Sequence, residues 1–115
     1  MMDHILPGVY ALQMQELANI REKHGAAYNS LHEGFAVLME EVEEVKEELD
    51  NVELAVDRLW KITRADMPHM VYGCASQIAH YAAKAAAEAI QVAAVARKIA
   101  DAYEEVAGHE STTEA

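Results

Sequence analysis

Cysteine and long apolar runs are scarce in this sequence, and each scarcity excludes a class of structure. The 115 residues contain a single cysteine, Cys74, so no internal disulfide can form, and we expect a small buried hydrophobe in a reducing compartment. No apolar stretch reaches the roughly 18 residues that a membrane-spanning helix needs. The start, MMDHILPGVY, has no basic residue before its short apolar run, which argues against a signal peptide. We therefore expect a cytoplasmic protein.

Basic residues are also few. Nine lysines and arginines face 20 aspartates and glutamates, which gives a formal net charge of −11. That charge repels nucleic-acid phosphates and anionic lipid surfaces, so we expect neither nucleic acid nor membrane among the partners. An anionic substrate would need a cation to bridge it to this chain.

Signals of β-structure are missing, since no long period-two alternation and no NG or DG turn occurs. Apolar residues recur at helical spacing instead. Breaks are expected at His24-Gly25, at Asp50-Asn51 and before Pro68, and Ser30 with Glu33 has the spacing of a capping box. The predicted helices cover residues 8–23, 31–49, 51–64 and about 69–106. We predict an all-α antiparallel bundle of four to five helices, with residues 1–107 as one domain and 108–115 as a polar tail.

The segment LMEEVEEVKEELD carries seven acidic residues in thirteen positions. Winding it at about 100° per residue divides the six glutamates into two sets around an apolar stripe. The stripe comprises Phe35, Leu38, Val42, Val45 and Leu49; the outer set is Glu40, Glu43 and Glu47; the flank set is Glu41, Glu44 and Glu48. A solvated face explains the outer set. Stacked like charges on the flank need either full solvation or a cation, and carboxylate oxygens suit hard divalent ions.

One further acid, Glu88, stands out because small residues surround it in the segment AAAEAIQVAAVA. These alanines allow another helix to approach closely, and an unpaired charge at such an interface is costly. Glu88 therefore needs a positive partner. Lys84 or Arg97 can supply it; the alternative is a metal ion shared with Glu41 and Glu44.

These residues also carry a family resemblance. MEEVEEV, with Glu41 and Glu44, resembles the EExxE motif of the MazG-like, all-α nucleoside triphosphate pyrophosphohydrolases, and EAIQ matches their ExxD motif in part. The phrase KHGAAYNSLHEGFAVLMEEVEEV is also similar to small MazG-like proteins of bacteria and phages. The resemblance covers roughly residues 20–50 and 85–100. Gln91 stands where the family motif has aspartate, and it offers a carbonyl oxygen without the charge.

The resemblance implies an enzyme that cleaves a nucleoside triphosphate between the α and β phosphates, giving a monophosphate and pyrophosphate. It implies Mg²⁺, with Mn²⁺ as an alternative, held by Glu41, Glu44, Glu88 and Gln91, and a homodimer or homotetramer. Glu40 or Glu48 would orient the attacking water. Candidate substrate contacts are Lys84, Lys61 and Arg64, together with Asn29, which turn formation explains equally well. The alternative function is a catalytically degenerate helical oligomer that binds nucleotide, metal or another protein.

Overall fold

The computed structural model describes residues 2–108, and these are almost entirely helical. The three α-helices are α1 (Leu6–His24), α2 (Leu31–Arg64) and α3 (Val71–Ala102). Short 3-10 helices lie at Met2–His4 and Pro68–Met70, and a further helical turn follows at 104–108. No strand occurs within residues 2–108, so the predicted all-α fold is confirmed. Apart from Gly108, the predicted polar tail lies outside the described residues.

The ends of α1 and the start of α2 follow from local chemistry. Gly25 ends α1 with a φ of +85°, which L side chains rarely adopt, and its N–H donates to the Arg21 carbonyl at 2.8 Å. Ser30 accepts a hydrogen bond from the Glu33 N–H at 3.0 Å, as predicted for a capping box. The Glu33 carboxylate in turn accepts hydrogen bonds from the backbone N–H and the side-chain amide of Asn29, both at 3.1 Å. In a standard capping box it would accept from the backbone N–H of Ser30, one residue later.

The predicted helix break at Asp50-Asn51 is wrong, because α2 continues without interruption through both residues. Aspartate and asparagine inside a helix cost only tenths of a kcal/mol relative to better helix formers. Packing outweighs that cost here: Val52 is half-buried and Ala55 is 2% exposed in the next turn. The break at Pro68 does occur, and it separates α2 from α3.

The described residues form two compact units. Unit 1 comprises residues 2–40 and 90–108, and unit 2 comprises residues 41–89. The core of unit 1 contains Leu17, Ala94 and Val95, whereas that of unit 2 contains Ala55, Ile62, Cys74 and Ala85. Cys74 is buried as predicted, and its thiol donates to the Ala55 carbonyl at 3.3 Å.

In unit 2 the two helices run antiparallel. Glu48 of α2 pairs with Lys84 of α3, and Arg58, further along α2, bonds Gln77, which precedes Lys84. Two helices alone bury only the stripes along which they meet. Leu49, at the end of the predicted apolar stripe, is accordingly 48% exposed, and Trp60 is 57% exposed. Phe35, the predicted start of the apolar stripe, is 63% exposed in unit 1.

None of the helices in residues 2–108 has both the length and the apolar character needed to cross a membrane.

Candidate metal centre

Three carboxylates converge in unit 2. Glu41 and Glu44 lie one turn apart on α2, and Glu88 projects from α3. One oxygen from each side chain lies within 4.8 Å of an oxygen from each of the others. Glu41 and Glu88 are half-buried, and Glu44 is exposed. We call these three residues the acidic trio; they are the acids that helical winding and the resemblance had assigned to one site.

The small residues of α3 explain how the acidic trio forms. Ala85, one turn before Glu88, is 6% exposed, and Ala55 of α2 is also buried. Alanines at these positions let the two helix backbones approach closely, as expected from the alanine-rich sequence. Close approach carries the Glu88 carboxyl group into the neighbourhood of the α2 acids.

The electrostatics of the cluster are unfavourable to three full negative charges. The pKa of Glu88 is raised above its ordinary value by a hydrogen bond with Glu44, then by burial, and then by repulsion from Glu44, Glu41 and Glu48. The Glu88 carboxyl group therefore lies at a site of negative potential. A bound cation would relieve the repulsion among these carboxylates.

A fourth carboxylate, Glu48, lies one turn beyond Glu44 on α2. Its Oε1 is 3.4 Å from the Lys84 Nζ, and its side chain is 13% exposed against 50% for Lys84. Its Oε2 is buried and has no hydrogen-bond partner within residues 2–108. Lys84 therefore pairs with Glu48, whereas the sequence offered it as a partner for Glu88.

The donor set fits a hard divalent cation. Carboxylate oxygens are the ligands that Mg²⁺, Mn²⁺ and Ca²⁺ prefer, and two acids one turn apart with a third from a facing helix can reach one ion. The buried Glu48 Oε2 beside the acidic trio adds an oxygen that accepts no hydrogen bond from the part of the chain that the structure describes. The chemistry of the residues thus accommodates Mg²⁺ without distinguishing it from similar ions.

Two other predicted site residues flank the acidic trio in sequence. Gln91 is half-buried one turn after Glu88 on α3, and its residue position belongs to unit 1. Glu40 directly precedes Glu41 on α2, is exposed, and also belongs to unit 1. Their assigned roles, metal binding for Gln91 and water orientation for Glu40, remain predictions.

The basic candidates Lys61 and Arg64 lie far from the acidic trio. At 1.5 Å per residue, they stand roughly 25 and 30 Å beyond Glu44 along α2. The Lys61 Nζ is 3.4 Å from the Asp57 carboxylate, and the Arg64 guanidinium stacks 5.6 Å from the Trp60 ring centroid. Within one chain they do not reach a triphosphate bound at the acidic trio, because a triphosphate does not span that many helical turns.

Asn29 and Arg97 are engaged locally. Asn29 bonds Glu33 at the start of α2, which is the turn chemistry that competed with its predicted substrate role. Its neighbours Tyr28 and Ser30 help line a cavity of about 200 Å³ in unit 1. Arg97, the other candidate partner for Glu88, lies 3.7 Å from Asp101.

Sequence reasoning missed one unusual residue, Lys98 of α3. It is 0% exposed, its Nζ lies 3.9 Å from the centroid of the Tyr28 ring, and it makes no hydrogen bond within the described residues. Burial lowers the pKa of this lysine, partly offset by the Glu33 carboxylate. The available signal was its spacing: Lys98 follows Ala94 and Val95 by four and three residues, so it shares their apolar face.

Comparison with known proteins adds nothing to this geometry, since no protein-family model, no curated protein and no solved structure matches the chain.

Proposed function

We propose that the acidic trio binds a divalent cation and that the chain is a Mg²⁺-dependent nucleotide pyrophosphohydrolase of the MazG-like type. The reaction would convert a ribo- or deoxyribonucleoside triphosphate into its monophosphate and pyrophosphate. One observation carries the proposal: Glu41, Glu44 and Glu88, assigned to metal by the resemblance, present their oxygens within 4.8 Å of one another.

The residues divide the chemistry among them. When bound, Mg²⁺ would offset the repulsion between an acidic protein and a triphosphate and polarise the phosphorus under attack. The acidic trio supplies the ligand oxygens. Glu48, one turn from Glu44 on α2, would orient the attacking water. The exposed Glu40 is the second candidate for that role.

Association with further copies of the chain is part of the proposal. Unit 2 leaves large apolar side chains uncovered on α2, namely Leu49, Leu54, Val56 and Trp60. Exposed apolar area of this kind is typical of an interface between proteins. A homodimer or homotetramer that covers these side chains would complete the bundle.

A second candidate function is cation binding without hydrolysis. Gln91 favours it, because a neutral amide one turn after Glu88 supplies less charge than the aspartate of the family motif. A helical oligomer with this substitution would retain the cation site of the acidic trio and lose turnover.

Pyrophosphate release tests the hydrolase. The purified protein is incubated with each common ribo- and deoxyribonucleoside triphosphate in Mg²⁺. We expect release with at least one nucleotide. Glu41→Gln or Glu88→Gln should lower its rate by roughly 100-fold or more, since a catalytic metal lowers the activation barrier by several kcal/mol. The matched control is Glu43→Gln, which removes the same charge from an exposed position of α2. No release with any nucleotide would overturn the hydrolase, and equal losses in the control would overturn the site.

Thermal unfolding tests cation binding without turnover. Mg²⁺ or Mn²⁺ at about 100 times its Kd should stabilise the folded protein by roughly 2.7 kcal/mol and raise the Tm. Glu44→Ala should abolish the shift, whereas Glu43→Ala should retain it. A retained shift without pyrophosphate release would select the second candidate function.

A further inference from the structure

Lys84 of α3 pairs with Glu48 of α2 directly beside the acidic trio. On α2, Glu48 follows Glu44 by one turn; on α3, Lys84 precedes Glu88 by one turn. Because the helices are antiparallel, the Glu48 and Lys84 side chains meet one level away from the contact of Glu44 with Glu88. The ion pair is thus the next layer of the same carboxylate cluster.

Glu48 belongs to that cluster electrostatically. Its side chain is 13% exposed, whereas that of Lys84 is 50% exposed. Its two oxygens differ in their partners: Oε1 faces the Lys84 ammonium at 3.4 Å, and the buried Oε2 has no hydrogen-bond partner within residues 2–108. Without Lys84, four like charges would share this small volume.

We propose that Lys84 is a positioning residue that limits how tightly the acidic trio binds a divalent cation. By pairing with the Glu48 Oε1 it offsets the charge of the fourth carboxylate and keeps that oxygen from joining the ligands. This inference rests on the proposed cation site, and it replaces the predicted substrate contact of Lys84 by a role toward Glu48.

The direction of the effect follows from charge. Removing one positive charge from the layer beside the acidic trio makes the potential at the cation more negative and frees Glu48 to coordinate. For a half-exposed ammonium one helical turn away, we expect Lys84→Met to tighten cation binding on the order of tenfold. A lysine that merely stabilises the fold would leave the cation affinity unchanged, and one that binds phosphate would affect only nucleotide affinity.

The test is a titration of the full-length protein with Mn²⁺ alone, followed by calorimetry and by the electron paramagnetic resonance of free Mn²⁺. Lys84→Met should bind Mn²⁺ about tenfold more tightly, and Lys84→Arg should match the wild type. Lys61→Met is the matched control, because it removes the same charge and a lysine–carboxylate pair of the same 3.4 Å distance, roughly 25 Å along the helix. Its Mn²⁺ affinity should change less than about twofold, since exposed charges at that distance are screened.

A double mutant tests whether Lys84 acts on the cation site through Glu48. Because Lys84 acts through Glu48, Lys84→Met should have a much smaller effect in the Glu48→Gln background. Circular dichroism confirms folding of each variant, and Lys84→Gln replaces Lys84→Met should the latter misfold. Equal affinities in Lys84→Met and Lys61→Met, or weaker binding in Lys84→Met, would overturn the inference while Glu44-dependent binding by the wild type still supports the cation site. Absence of Mn²⁺ binding in every variant would overturn both.

Discussion

The two units of this chain treat charge in opposite ways. Unit 1 buries a cation: Lys98 is 0% exposed, with its ammonium 3.9 Å from the Tyr28 ring centroid. Unit 2 gathers anions, with the acidic trio converging from two helices. Both arrangements carry an electrostatic cost, but the Lys98 ammonium meets an aromatic ring and a carboxylate, whereas Glu88 meets other glutamates.

That difference separates a structural charge from a site that attracts a ligand. The π-face of Tyr28 attracts the Lys98 ammonium, and the Glu33 carboxylate favours its charged form. Nearby, Arg21 is bound to Asp101 at 2.7 Å. In unit 2 the pKa of Glu88 is raised by a hydrogen bond with Glu44, by burial, and by repulsion from Glu44, Glu41 and Glu48. The proposed cation would offset this repulsion.

The largest expected effect comes from reversing the buried charge of unit 1. Lys98→Glu places a carboxylate against the Tyr28 ring and near Glu33, where it is desolvated and repelled. We expect unfolding free energy to fall by about 3–5 kcal/mol, the usual cost of an uncompensated buried charge. Urea denaturation followed by circular dichroism measures the loss.

Lys98→Met is the control for that experiment. Methionine keeps most of the volume, removes the desolvation cost and gives up the contact with the ring, so stability should stay within about 1 kcal/mol of the wild type. A loss of 3 kcal/mol or more in Lys98→Met would show that the charge itself stabilises unit 1 and that its burial carries no net cost.

In unit 2, removing a charge should stabilise the protein when no cation is present. The pKa of Glu88 is raised, so the folded state binds more protons than the unfolded state above pH 4.5, and stability falls as the pH rises through the folded pKa. Glu88→Gln should remove this part of the pH dependence. At pH 7 in chelator it should raise the unfolding free energy by about 1 kcal/mol, because a few like-charge pairs cost tenths each.

When Mg²⁺ is added, the wild type should become more stable than Glu88→Gln, because the wild type gains binding energy that the variant lacks. Urea midpoints between pH 4 and pH 8, with chelator and with Mg²⁺, measure both effects. Glu43→Gln, at an exposed position of the same unit, should follow the wild-type pH profile. A less stable Glu88→Gln in chelator would contradict the view that the acidic trio repels itself.

The acidic trio was predictable because it depends on short-range geometry. Glu41 and Glu44 share a face on any α-helix, and the alanines around Glu88 indicate a close helix contact. The one step that sequence alone did not supply was the register between α2 and α3, which sets Glu44 against Glu88 and Lys84 against Glu48. For the acids, the family resemblance indicated which residues of α2 and α3 meet. For Lys84, nothing in the sequence indicated its partner Glu48.

Other misses have physical causes. Asp50 and Asn51 favour helix ends only weakly, so neighbouring contacts decided the continuity of α2. Leu49, at the end of the predicted apolar stripe, is exposed because a unit of two helices has no second layer to cover it. Lys98 shows the opposite error, because a charged residue on an apolar face is usually exposed, and its aromatic partner Tyr28 is distant in sequence.

The smallest expected effect compares packing in the two units through one substitution. A Cβ at Gly34 of unit 1 would lie 3.2 Å from side-chain atoms of both Ile99 and Tyr28, whereas one at Gly73 of unit 2 meets nothing within 4 Å. Alanine gains up to about 1 kcal/mol of helix propensity at either site. Crowding at Gly34 costs about 1–3 kcal/mol, so Gly34→Ala should lose roughly 1 kcal/mol and Gly73→Ala should gain about 0.5 kcal/mol. Urea denaturation measures both, and equal gains would mean that the helix contact beside Tyr28, and with it the enclosure of Lys98, is looser than the structure has it.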